Sequence, residues 1–167
     1  MRRREAVSDY IMDLRKIVGH RPLLQVGASV IVVDEQDRVL LQLRHDNHCW
    51  GYAGGSVELD EAVEAAARRE LWEETGLTAG DLELLGVFSG PEMHYVYPNG
   101  DEVSNIDIVY ICRSYSGVLR PQEGEVDELC FFPLDGLPES ISPQNKIPLA
   151  AWMRTIEGNE GRKSVAV

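Results

Sequence analysis

Three glutamates near the middle of the chain have the residue type and the spacing of a metal-binding cluster. Glu70, Glu73 and Glu74 are related as i, i+3 and i+4 within an alanine-rich stretch, so a helix would place them on one face. Further back on that face lie Val63 and Ala66, which are apolar, so the face turns towards the protein. Carboxylates crowded together there repel one another unless a divalent cation lies between them. The spacing therefore predicts a metal site, and a solvent-exposed acidic face is the alternative.

Both ends of this helix can also be predicted. Asp60 is a residue type that caps helix N-termini, and Glu61 and Glu64 follow it where the helix dipole favours negative charge. Gly76 stands where helices commonly end in a left-handed residue. We therefore expect the helix to begin directly after Asp60 and to end before Gly76.

A glycine-rich stretch, residues 50–55, precedes the helix and is expected to form a turn. Gly54 and Gly55 allow the backbone to approach a ligand closely, and the N–H groups of a loop and of a helix start attract anions. A phosphate-compatible turn beside a carboxylate cluster favours Mg²⁺ or Mn²⁺ that is shared between the protein and a phosphorylated substrate.

Together these residues resemble the Nudix box of Nudix hydrolases, Gly-x5-Glu-x7-Arg-Glu-U-x-Glu-Glu-x-Gly-U, in which U is bulky and aliphatic. Every fixed position of that pattern is filled, by Gly55, Glu61, Arg69, Glu70, Leu71, Glu73, Glu74, Gly76 and Leu77. The resemblance extends more weakly over residues 22–157, although Ala53 stands where the family often has a proline. It implies an α/β (α+β) fold, the Nudix α/β/α sandwich with a mixed β-sheet between helices.

The resemblance implies hydrolysis of a pyrophosphate bond in a nucleoside diphosphate linked to another moiety, with Mg²⁺ or Mn²⁺ as cofactor. Such small-molecule substrates include NTPs and dNTPs, ADP-ribose, nucleotide sugars and dinucleoside polyphosphates. By the same resemblance, the metal ligands are the carbonyl of Gly55 and the carboxylates of Glu70, Glu73 and Glu74. Arg69 is expected to pair with Glu61 or Glu70 and to orient this catalytic cluster.

The general base is expected in the acidic loop before the last strand, where part of the family carries it. We assign this role to Glu125 from among the acids of that loop, which are Glu123, Glu125, Asp127 and Glu128. The crowded carboxylates of the box raise one another's pKa, so one of them could serve instead.

Three residues outside the box are predicted to bind substrate. Arg44 ends a predicted strand, and Tyr95 and Tyr97 point to the same side of another strand. Packing against each other is the alternative role of the two tyrosines. His45 and His48 have no third ligand nearby in the sequence and are expected to be ordinary loop residues.

Length and composition limit the class of protein. The 167 residues are enough for one domain with a real core, and a hydrophobic content of 44% is ordinary for a soluble protein. A net charge of -12 argues against binding to nucleic-acid polymers. Three cysteines without CxxC spacing indicate free thiols in a reducing cytoplasm, and no apolar run is long enough for a signal peptide or a membrane span.

The pattern along the chain predicts a helical N-terminal segment, residues 1–21, a main domain, residues 22–157, and a frayed tail, residues 158–167. The N-terminal helix, residues 5–18, is amphipathic and is expected to pack on its own domain or across a homodimer interface. Residues 23–33 and 39–44 are predicted to form one hairpin, and residues 93–97 and 103–112 a second. The other predicted elements are strands 82–88 and 129–132, an irregular loop 114–127 and a closing helix 145–157.

Two alternatives to the hydrolase are considered. The first is a catalytically silent Nudix domain that binds a nucleotide, which would be expected to lack some of the box glutamates. The second is an isopentenyl-diphosphate-isomerase-like enzyme of the same fold, for which the chain shows no matching Cys/Glu pattern. The complete set of box acids favours the hydrolase.

Overall fold

The fold is built around one long strand that has a helix packed on each of its two faces. The structure, a computed structural model, describes the backbone of residues 9–164 and the side chains of residues 9–158. Within these residues the helices are α1 (Tyr10–Val18), α2 (Val63–Thr75) and α3 (Pro143–Ser164). The strands are β1 (Leu23–Val32), β2 (Val39–Arg44), β3 (Trp50–Gly51), β4 (Ala53–Ser56), β5 (Leu77–Ala79), β6 (Glu83–Phe88), β7 (His94–Val96), β8 (Glu102–Cys112), β9 (Tyr115–Gly117) and β10 (Val126–Phe132).

The main sheet is mixed, as the sequence predicts. Its strand order is β4-β1-β8-β6, with β7 added to β8, and only the β1–β8 pair in it is parallel among the described residues. A smaller sheet has the order β10-β2-β3, and β5 pairs with β9. This arrangement places β4 and its glycines at the edge of the main sheet, next to α2.

Alternate residues of β1 belong to two hydrophobic clusters. Ala28 and Val30 pack in the cluster that includes Ala66 and Leu71 of α2. Ile31 packs in the other cluster, which includes Leu149 and Trp152 of α3. Because successive side chains of a strand point to opposite faces, one strand supports a helix on each side. The predicted sandwich of helices around a mixed sheet is confirmed.

The predicted hairpin of β1 and β2 is wrong. Apart from the isolated bridge between Val33 and Val39, β1 pairs with β4 and β8, whereas β2 pairs with β3 and β10. Both edges of β1 are therefore occupied by strands from distant parts of the chain, so β2 continues into the second sheet. The predicted β7–β8 hairpin is confirmed by antiparallel pairing of His94 with Ser104.

Two predicted helix starts need correction. Asp60 does not cap α2, because it adopts a positive φ of 61° and the helix begins two residues after Glu61, behind Ala62. The side chain of Asp9 caps α1 by accepting a hydrogen bond from the N–H of Met12, so this helix begins at Tyr10. Residues 5–8, which were predicted to be helical, lie outside the described part of the chain. The predicted left-handed end of α2 at Gly76 is confirmed, with a φ of 77°.

Three further segments differ from the predictions. Residues 53–56 form strand β4 rather than a turn, because their backbone pairs with β1 from Gly27 to Val30. The predicted irregular loop contains β9, and α3 continues beyond residue 158 to Ser164 instead of fraying there. A glycine costs a helix only about 1 kcal/mol, so Gly158 and Gly161 do not have to end one whose first turns are packed.

Two further observations concern the cysteines and the helices. Cys49, Cys112 and Cys130 are free thiols. None of the helices described here has the length and apolar character needed to cross a membrane.

Candidate active site

Strand β4 and helix α2 bring Gly55 and Glu70 into direct contact. A Cβ atom at Gly55 would lie 2.5 Å from the carboxyl carbon of Glu70, which is closer than a side chain can stand. Glycine is therefore required for the Glu70 carboxylate to rest on the backbone of β4. The sequence predicted that these two residues share a site, although it placed Gly55 in a turn.

Glu74 is the most deeply buried acid of the cluster, with 3% of its surface exposed. Its Oε2 accepts hydrogen bonds of 2.9 Å from the N–H of Gly54 and of 2.9 Å from Nε2 of Gln42. Burial raises the pKa of Glu74 from 4.5 to about 8, and the charge of Glu70 adds to this while the bond from Gly54 opposes it. A carboxylate kept at this position needs a positive partner.

Gln42 is a site residue that the sequence prediction missed. It is 2% exposed, and its Oε1 has no hydrogen-bond partner within the described residues. The signal was present, because a glutamine interrupts the apolar run of β2 on the face that Leu40 and Arg44 share. Its contact with Glu74 joins β2 to α2.

Arg69 holds the other carboxylates of the cluster. Its Nε and Nη2 donate to both oxygens of Glu61 at 2.8 and 2.9 Å, and its Nη1 donates to Glu70 at 2.5 Å and to Glu73 at 3.2 Å. The bond from Arg69 also lowers the pKa of Glu61. The predicted pairing is confirmed with both partners, because the planar guanidinium can donate in several directions at once.

The site contains the oxygen donors that a hard divalent cation prefers, but in this structure its carboxylates do not surround a common point. Burial raises the pKa of Glu70 in spite of Arg69, and the charges of Glu73 and Glu125 add to the rise. Within residues 9–158, however, no three Asp, Glu, His or Cys side chains are arranged as a metal-binding group. Oxygen donors, crowded negative charge and the glycine cradle fit Mg²⁺ or Mn²⁺, which prefer such ligands.

These residues line a cleft of about 500 Å³. Eight of the residues predicted to be functional line this cleft, namely Gly55, Arg69, Glu70, Glu73, Glu74, Glu125, Arg44 and Tyr97. Glu61 does not line the cleft but contacts two residues that do, Arg69 and Glu58. Glu125 is exposed and accepts a hydrogen bond of 3.1 Å from Gln122, so its carboxylate can contact solvent in the cleft.

A smaller chamber of about 100 Å³ adjoins the cleft and shares Arg44 and Tyr97 with it. Tyr95 lines this chamber, and the two tyrosine rings meet edge to face at 4.9 Å. Both roles considered for the tyrosines, packing and lining a binding site, are therefore compatible with their positions. Arg44 is paired with Asp46 through hydrogen bonds of 3.0 and 2.9 Å.

The back of the chamber contains a buried acid that the sequence did not reveal. Asp107 accepts hydrogen bonds from Oγ of Ser29 at 2.7 Å and from the hydroxyl of Tyr52 at 3.1 Å. Burial raises the pKa of Asp107, and both hydrogen bonds oppose this. An aspartate within the apolar alternation of β8 was the available signal.

The loop histidines lie outside this cleft. Nδ1 of His45 is 2.8 Å from Asp127, and Nδ1 of His48 is 3.8 Å from the same carboxylate. These contacts connect the loop after β2 to β10.

Comparison with known proteins identifies the class to which this fold and cleft belong. The sequence model of the NUDIX domain matches residues 23–153. An ADP-ribose pyrophosphatase of Methanocaldococcus jannaschii is 33% identical over 155 residues, which cover 90% of this chain and 87% of that protein. A MutT-like protein of Streptomyces ambofaciens is 36% identical over 99 residues, 59% of this chain and 58% of that protein. The chain belongs to the Nudix family.

Solved structures agree with this assignment. A MutT Nudix hydrolase from Burkholderia pseudomallei has a TM-score of 0.66 at 31% identity, over 77% of this chain and 98% of that one. The Nudix domain of NrtR from Shewanella oneidensis, solved with ADP ribose, has a TM-score of 0.65 at 15% identity, over 86% of this chain and 98% of that one. The second likeness concerns the fold alone.

Proposed function

We propose that this protein is a Mg²⁺- or Mn²⁺-dependent pyrophosphohydrolase that acts on a nucleoside diphosphate linked to another moiety. The observation that carries the proposal is the box cluster in its cleft: Glu70 lies on Gly55, and Glu74 is buried against Gly54 with a raised pKa. Such crowding of acids, one of them buried, is unfavourable without a cation and is not expected of a merely structural cluster. Family membership and the name of the Methanocaldococcus relative support the same reaction class.

The metal ligands in this proposal are the Gly55 carbonyl and the carboxylates of Glu70, Glu73 and Glu74. When bound, the cation neutralises phosphate charge and lowers the pKa of a coordinated water. Gln42 and the N–H of Gly54 fix the orientation of Glu74. Arg69, anchored by Glu61, restrains Glu70 and Glu73.

The remaining roles belong to residues on the cleft walls. Glu125 is the proposed general base, because its exposed carboxylate shares the cleft with the cluster and can take a proton from the attacking water. Arg44, Tyr97 and Tyr95 are the proposed substrate contacts, since Arg44 and Tyr97 line both the cleft and the chamber and Tyr95 lines the chamber. A guanidinium pairs well with phosphate, and aromatic rings pack against bases.

The test is product release from a panel of compounds, with Mg²⁺, with Mn²⁺ and with a chelator. The panel contains canonical and oxidised dNTPs, ADP-ribose, nucleotide sugars, dinucleoside polyphosphates and NADH. We expect metal-dependent cleavage of one class, and its loss in Glu74→Gln but not in Glu64→Gln, a control on the exposed side of α2. If nothing is cleaved while one compound raises the melting temperature, the protein is a nucleotide-binding domain instead.

A further inference from the structure

Helix α1 lies outside the matched NUDIX domain, yet it forms one wall of the cleft. The domain match begins at residue 23, whereas α1 ends at Val18. Its first turns contribute Asp9, Ile11, Met12 and Arg15 to the same cleft that Glu70, Glu73 and Glu74 line. The N-terminal segment is therefore part of the site rather than a detached appendage.

Contacts at both ends hold α1 in this position. The side chain of Arg15 is 7% exposed, and its guanidinium donates to the carbonyls of Gly19, Arg21 and Glu102 at 3.0, 2.5 and 2.6 Å. At the other end, the N–H of Tyr10 donates to Oε2 of Glu58 at 3.0 Å. Helix α1 thus spans the cleft from the loop before α2 to the start of β8.

The wall that α1 completes is negatively charged. Asp9 and Glu58 lie at the start of the helix, where they accept hydrogen bonds from the N–H groups of Met12 and Tyr10. Those helix-start N–H groups, which would otherwise attract phosphate, already have carboxylate partners. Asp101 adds a third carboxylate on the same side; it is 2.8 Å from Nδ1 of His20 and 3.5 Å from Nε of Arg15, so Asp9 and Glu58 contribute most of the negative charge.

The arginines of the cleft do not offset this charge. Among the described residues that line it, the cations are Arg15, Arg44 and Arg69. Arg44 is bound to Asp46, and Arg69 is bound to the box glutamates. Arg15 is bound to three backbone carbonyls and lies near Asp101. Apart from Arg44, which we propose contacts the pyrophosphate, no cation of the cleft is available to additional phosphate groups on this side, which would therefore meet carboxylates.

The same wall offers good partners to an uncharged group. Ile11 and Met12 provide apolar surface, and Met12 is half exposed. Carboxylates beside apolar surface suit a sugar, because they accept hydrogen bonds from hydroxyl groups while its C–H face packs on carbon.

We propose that α1 is a specificity element, and that its wall of Asp9, Ile11, Met12 and Asp101 selects substrates whose second moiety is an uncharged sugar over nucleoside triphosphates. This inference rests on the proposed function and names the substrate class of the same site. In this proposal the pyrophosphate binds at the α2 cluster and the second moiety faces the α1 wall, which lines the same cleft.

The test changes the charge of the wall and leaves the cluster intact. Asp9→Asn removes one negative charge but retains an N-cap residue, and Met12→Lys adds one positive charge on the cleft side of α1. The matched control is Ile17→Lys, which adds the same charge on a residue that is 82% exposed and does not line the cleft. In the full-length protein, kcat/KM is measured for ADP-ribose and for ATP with Mg²⁺. The affinity for each compound is also measured by calorimetry in the presence of a chelator, so that binding is compared without hydrolysis.

The wild type should prefer ADP-ribose. We expect the double variant to shift the ADP-ribose/ATP ratio about tenfold towards ATP, or about 1.4 kcal/mol, and the control to leave the ratio unchanged. A wild-type preference for ATP, an unchanged ratio, or an equal shift in the control would overturn the inference. If the double variant fails to fold, Asp9→Asn alone must show a shift in the same direction. Absence of cleavage of any compound by the wild type would refute the proposed function itself.

Discussion

Replacing Glu74 by glutamine should stabilise the metal-free protein at alkaline pH. The pKa of this carboxyl is about 8 in the folded protein and 4.5 in its ordinary range, so the folded state binds the proton more tightly. The contribution of Glu74 to the free energy of unfolding therefore falls as the pH rises from about 4.5 to about 8 and does not change above about pH 8. Each pH unit corresponds to about 1.4 kcal/mol, which gives a ceiling of about 5 kcal/mol.

Relaxation of the protein around a buried charge reduces this penalty. We therefore expect the free energy of unfolding of the wild type to fall by about 3 kcal/mol over this pH range. Glutamine has nearly the same shape and stays neutral, and its amide oxygen can still accept the bond from Gly54. Glu74→Gln should therefore lack this pH-dependent loss, and it should also lack turnover because a charged ligand is gone.

The assay is urea unfolding of the protein in the presence of a chelator, at several pH values between about 5 and about 9. Glu64→Gln on the same helix is the matched control and should keep the wild-type slope, because its side chain is 54% exposed. Excess Mg²⁺ should flatten the slope of the wild type, since a cation then takes the place of the proton. Parallel slopes of the unfolding free energy against pH for the wild type and Glu74→Gln would show that Glu74 does not cause this pH dependence.

Three further substitutions test other parts of the structure. Gly55→Ala should weaken Mg²⁺ binding at least tenfold, because its Cβ would displace the Glu70 carboxylate; unchanged affinity in calorimetry would contradict the cradle. Gln42→Leu should lower Mg²⁺ affinity and kcat about 10- to 100-fold with little change in melting temperature, and normal affinity would remove its positioning role. Gly76→Ala should lower the free energy of unfolding in urea by about 1–2 kcal/mol, since φ is 77° and the Cβ would lie 2.6 Å from the carbonyl oxygen of Val118. Gly158→Ala, where a Cβ has open space, should not destabilise the protein in this way.

The parts of the site that the sequence predicted are those set by local periodicity. Glu70, Glu73 and Glu74 share a face because a helix repeats every 3.6 residues, and Gly76 ends that helix because its left-handed conformation favours glycine. These features depend only on neighbouring residues. They could be read from the pattern without knowing what packs against it.

The features that escaped prediction depend on partners far away in the chain. Gln42 contacts Glu74 across 32 residues, and Arg15 contacts Glu102 across 87. The wrong β1–β2 hairpin has the same origin, because the pairing of β1 is decided by competition with β4 and β8. Local turn signals after Val33 could not reveal which strand would occupy each edge.

The most direct test of the account is to locate Mn²⁺ by anomalous diffraction from crystals of the full-length protein. We predict the strongest peak between the Gly55 carbonyl and the carboxylates of Glu70, Glu73 and Glu74, with Glu70 turned away from Arg69. No peak at the α2 cluster, or a stronger one at His45 and Asp127, would contradict a metal-dependent active site there.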